Sequence, residues 1–114
     1  MNIGLIAARW AALEPRREAI VDIPTGQRMT FGELDTNVRR LANALRGDLG
    51  LQRGDRVSIF SRNSIEFLEI CLACARAGFI AVPLNWRLGI PELARIVADA
   101  SPAVLISAGG MRAE

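Results

Sequence analysis

The residues able to do chemistry in this chain are few, and the missing types decide more than those present. Cys71 and Cys74 form a C-x-x-C pair. A redox role needs a thiolate stabilised by a helix N-terminus or a nearby cation. These two lie in the middle of a helical pattern, among Leu, Ile and Ala, which raises a thiol pKa instead. A zinc site needs four N or S ligands, and the sequence has no further Cys and no His. The pair therefore reads as two small buried hydrophobes, and no metal ligands are assigned.

Other chemistries fail on composition. All 14 cations are Arg, because the sequence contains no Lys. A P-loop, which requires Lys, is therefore excluded. Ser58, Ser61, Ser64, Ser101 and Ser107 have no His or Lys to activate them as nucleophiles. Glu66 and Glu69 lie on one stripe of a helix and read as a solvated surface. The turn at Ser61-Arg62-Asn63-Ser64 lacks the glycines that let backbone approach a pyrophosphate, so a dinucleotide site is not expected there. Gly109-Gly110 reads as a turn. No catalytic residue is assigned. Arg87 is the one polar residue singled out. It follows an apolar strand, where α/β folds place ligands, and its planar fork suits phosphate.

The elements that would position these groups follow from periodicity. Ile3, Ile6, Ala7, Trp10 and Leu13 have helical spacing, which Glu14-Pro15 stops. Glu18 to Ile23 and Arg28 to Thr30 flank the turn Pro24-Thr25-Gly26 and predict a hairpin. Thr30 and Glu33 form a capping box that opens a helix running to Asp48. Phe31, Leu34, Val38, Leu41, Ala42 and Leu45 make its apolar face, and Asp35–Arg39 is an i,i+4 pair on the other side.

Arg56 to Phe60 predicts a strand. Asn63 and Glu66 then cap a helix to Ala77, ended by Gly78. On that helix Glu66, Glu69, Ala73 and Arg76 form one polar stripe. Phe79 to Val82 is a continuous apolar run, suited to a parallel strand buried on both faces. Pro83 to Gly89 reads as a loop. Pro91 opens a further helix, with Leu93, Ile96, Val97 and Ala100 inward, ended by Ser101-Pro102. Ala103 to Ser107 is a last strand.

The fold class is thus α/β. An N-terminal helix and hairpin and a second helix precede a β-α-β-α-β unit, whose alternation implies a parallel sheet with right-handed crossovers. Three parallel strands make a narrow sheet, which suggests an incomplete part of a wider one. With 114 residues, net charge +2 and cations interspersed with anions, a nucleic-acid surface is not expected. The N-terminus lacks a basic leader, and no apolar run approaches the roughly 20 residues of a membrane span. The expectation is a cytoplasmic chain with reduced cysteines.

The order of motifs resembles the adenylate-forming enzymes. Met29-Thr30-Phe31-Gly32-Glu33-Leu34 is similar to their first core motif. Arg53-Gly54-Asp55-Arg56-Val57 resembles their G-D-R-V strand entry, and Asn63-Ser64-Ile65-Glu66-Phe67 their next helix opening. The stretch Ala75 to Leu88, with Pro83-Leu84-Asn85-Trp86-Arg87-Leu88, resembles the second core motif in its acyl-CoA synthetase form. Pro83-Leu84-Asn85 favours that branch over peptide-synthetase adenylation domains.

The resemblance implies that residues 1–114 are a partial N-terminal domain of an AMP-forming acyl-CoA synthetase. Such an enzyme joins a small-molecule carboxylate to CoA, using ATP and Mg²⁺ and releasing AMP and pyrophosphate. It also implies that the phosphate loop, acyl pocket and catalytic Lys lie downstream, so this chain alone is expected to be inactive. Arg87 matches an Arg that contacts CoA phosphates in some relatives. The alternatives are a non-catalytic binding module on the same fold and a peptide-synthetase adenylation domain. One departure is visible. Gly89-Ile90-Pro91 stands where the family has a Thr or Ser cap, and Ile90 cannot cap.

Overall fold

The computed structural model describes residues 5–60, 64–84 and 89–107. Helix α1 (Ile6–Leu13) ends where the Glu14 N–H donates to the Trp10 carbonyl, just before Pro15. Strands β1 (Glu18–Asp22) and β2 (Gln27–Thr30) pair antiparallel. Their turn closes through the Gly26 N–H on the Asp22 carbonyl at 2.7 Å, with Gly26 at φ +74°. The Thr25 hydroxyl donates to the Asp22 carboxylate, which braces the same turn.

Thr30 ends β2 and caps α2 (Phe31–Asn43), and the expected capping box is complete. The Thr30 hydroxyl accepts from the Glu33 N–H at 3.2 Å, and the Glu33 carboxylate accepts from the Thr30 N–H at 2.9 Å. Those bonds hold the Glu33 carboxyl below the ordinary Glu range, the backbone bond most of all. The expected helix to Asp48 changes character on the way. Ala44–Asp48 is a π-helical turn, in which the Leu49 N–H reaches back five residues to the Ala44 carbonyl. The apolar pattern continues through it, as Leu45 is 2% exposed, so periodicity gave no sign of the wider turn.

Three further strands are β3 (Arg56–Phe60), β4 (Ile80–Leu84) and β5 (Val104–Ser107). They form one parallel sheet in the order β4-β3-β5. Helix α3 (Ile65–Ala77) connects β3 to β4, and α4 (Ile90–Ala100) connects β4 to β5. The second crossover passes back over β3, so right-handed connections must put α3 and α4 on opposite faces. The packing agrees. Val57 and Ile59, with Ala81, Val104 and Ile106, join the core that also holds residues of α1, α2 and α3. Alternation along the strands turns Phe60, Leu84 and Leu105 the other way, against α4.

Several sequence expectations need correction. Pro83 and Leu84 belong to β4, not to a loop. The Ile80 N–H donates to the Asp55 carbonyl of the neighbouring chain segment. Alternation then points the imide nitrogen of Pro83 to the free edge, where no ladder bond is lost. Nor is β4 buried on both faces, since Ile80 is 49% exposed at that edge. The cap of α3 is Ser64, whose hydroxyl accepts from the Phe67 N–H at 3.2 Å, and Asn63 lies outside the described residues. The cap of α4 is Gly89, so Ile90 is not at the cap position. Glycine there costs only a few tenths of a kcal/mol relative to Ser. Leu93, Ile96, Val97 and Ala100 do face inward, but α4 has no fully buried residue.

Gly78 ends α3 at φ +85°. Its N–H donates to the Cys74 carbonyl, and its own carbonyl accepts from the Gly54 N–H at 2.8 Å. A β-carbon at this position would lie 2.9 Å from Cγ of Arg53. Left-handed backbone costs a side chain about 1–2 kcal/mol before any contact is counted. Gly78→Ala is therefore expected to destabilise the fold by about 2 kcal/mol, read as a lowered urea midpoint at unchanged slope.

Candidate functional site

The three parallel strands end in register, Phe60 beside Leu84 on one side and Ser107 on the other. The N-termini of α3 and α4, capped by Ser64 and Gly89, begin at the same end of the sheet. This is where open α/β sheets bind ligands. Arg87, the one binding residue expected from sequence, falls between Leu84 and Gly89 and lies outside the described residues, as do Asn85, Trp86 and Gly109-Gly110.

The described part of this end is apolar. Phe60, Leu84, Leu105 and the α4 residues Ile90, Leu93, Ala94 and Val97 line a half-open cavity of 170 Å³. Beside it on the central strand, Ser58 is wholly buried, and its hydroxyl has no hydrogen-bond partner among the described residues. A nucleotide needs converging donors for its phosphates, and these side chains supply none. The described side chains at this end of the sheet do not by themselves fit ATP.

Polar groups converge instead at the opposite end of the sheet. Arg46, Gln52, Arg53 and Arg76 line an open cleft of 870 Å³ beside the last turn of α3. No local pattern pointed to it, because it joins residues from three separate segments. A structural reason accounts for it. Helix C-termini carry partial negative charge and attract cations. The Arg46 guanidinium donates to the Ala77 carbonyl at 3.4 Å, and the Arg53 side chain lies over Gly78. Arg76 pairs with Asp35 of α2 at 2.8 Å.

That last pair revises the polar stripe expected on α3. Glu66 is exposed, but Glu69 and Arg76 are half-buried and Ala73 is 0% exposed. The stripe is turned toward α2 rather than toward water. Asp35 still meets Arg39 at 3.5 Å, as the i,i+4 spacing predicts, yet its shorter contact is to Arg76.

Cys71 and Cys74 are unbridged, with Cys74 buried in the core. Burial pushes both thiols up, and Cys74, with Cys71 beside it, reaches about 11. Such thiols are poor nucleophiles at neutral pH. Because the raised pKa belongs to the folded state, the stability it represents is intact below the ordinary pKa of 9.0 and is lost as pH rises toward about 11. Denaturation midpoints are expected to fall across that window, and Cys74→Ala should flatten the fall. Among the described residues, no three His, Cys, Asp or Glu side chains are grouped so as to hold a metal. No helix among them is long and apolar enough to cross a membrane.

Comparison with known proteins turns on the whole ordered arrangement rather than on one site. The model of the AMP-binding enzyme family matches residues 7–113. The chain belongs to that family. It is 37% identical, over 92% of its length, to the long-chain-fatty-acid–CoA ligase FadD13 of Mycobacterium tuberculosis. It is 41% identical over the same share to a feruloyl-CoA synthase of Amycolatopsis. It spans 21% of the length of each, about a fifth.

The fold follows the same lineage. The inhibitor-bound N-terminal domain of FACL13 from M. tuberculosis superposes with a TM-score of 0.86 at 37% identity, over 93% of this chain and 26% of that one. The O-succinylbenzoate coenzyme A synthetase of Bacillus subtilis, in complex with ATP and magnesium ion, gives 0.80 at 27% identity, over 93% and 28%. The α/β architecture expected from sequence is thus shared with the N-terminal domains of adenylate-forming enzymes, over about a quarter of their length. In this family member the capping box and both β-α crossovers are in place.

Proposed function

We propose that residues 1–114 form the opening segment of the N-terminal domain of an ATP-dependent, AMP-forming acyl-CoA ligase. One observation carries the reading. The match to the AMP-binding family runs from residue 7 to residue 113, and it accompanies 37–41% identity to CoA ligases acting on fatty and aryl acids. The whole protein would activate a small carboxylic acid with ATP and Mg²⁺ and pass the acyl group to CoA. The chemistry would rest on residues outside this chain, since the described residues lack a nucleotide cradle and the sequence lacks Lys and His. This segment's contribution is scaffolding. It sets the carboxyl end of the parallel sheet, from which the Arg87 segment departs. Arg87 would contact a phosphate of CoA through its planar fork.

The test is a chimera in which residues 1–114 replace the matching opening of the M. tuberculosis FadD13 enzyme. CoA-dependent AMP release from ATP and a long-chain fatty acid is expected from the chimera and not from residues 1–114 alone. Turnover by the isolated chain would overturn the scaffold reading. In the active chimera, Arg87→Ala should raise KM for CoA about tenfold, the loss of one charge-assisted contact of roughly 1.4 kcal/mol. The KM for ATP should hold. An unchanged KM for CoA removes Arg87 from the site.

A further inference from the structure

We draw no further inference here: the strongest candidate, the half-open apolar cavity between α4 and the carboxyl end of the sheet, is an unpartnered apolar face, and nothing in the structure shows what covers it.

Discussion

Ile59→Ala is expected to cost about 4 kcal/mol, the largest effect of any single truncation considered. Ile59 is 0% exposed on the central strand, and in register it stands between Pro83 of β4 and Ile106 of β5. Truncation removes buried methyl groups and leaves a cavity that paired strands on both sides cannot collapse into. Losses of this kind run to about 2–5 kcal/mol, toward the upper end where the site is rigid. A domain of this size has only about 5–15 kcal/mol of stability in total, so the variant should unfold well below the parent in urea. Ile80→Ala provides the internal comparison. Ile80 sits on the β4 edge at 49% exposure, and its truncation should cost under about 1 kcal/mol. Equal losses at the two positions would mean that the sheet is not organised around β3.

This contrast also shows why some of the fold was legible in the sequence and some was not. The capping box at Thr30 and Glu33 and the glycine at 78 are local devices, each made by residues a few positions apart, and both were found where the spacing put them. The parallel order followed from alternation together with the handedness rule. Which strand lies in the middle did not, because a run such as Ile80-Ala81-Val82 looks alike at an edge and at a centre. Pro83 misled for a related reason. Proline usually punctuates a loop, and only the free edge of β4 makes it acceptable within a strand.

The candidate site divides in the same way. The expectation that ligand chemistry belongs at the carboxyl end of the sheet came from topology. The family was readable from four motifs in order, because each is local while their sequence is long. The arginine cleft was not readable, since Arg46, Arg53 and Arg76 come together only after α2 and α3 have packed. Arg87 itself lies outside the described residues, so its role rests on its motif.

The same packing supports the second large effect, at Asp35. Sequence offered Arg39 as its partner, but Arg39 is 61% exposed and 3.5 Å away, whereas Arg76 is 13% exposed and at 2.8 Å. An exposed i,i+4 pair contributes about 0.3–0.5 kcal/mol. Removing one member of a mostly enclosed pair costs more, about 3 kcal/mol, because the surviving charge keeps much of its desolvation penalty with one partner fewer. Asp35→Ala is therefore expected to destabilise by about 3 kcal/mol, and Arg39→Ala by under about 0.5 kcal/mol. Arg76→Met should fall between them, since it removes the enclosed cation and leaves Asp35 with Arg39. A double-mutant cycle between 35 and 76, read in urea, should give a coupling above 1 kcal/mol. A cycle between 35 and 39 should give far less. The reverse ranking would make the α2–α3 pairing incidental. The expected ranking makes it the polar lock that seats α3 on α2, and α3 is the element that spans the sheet from its arginine-lined end to the carboxyl end of its strands.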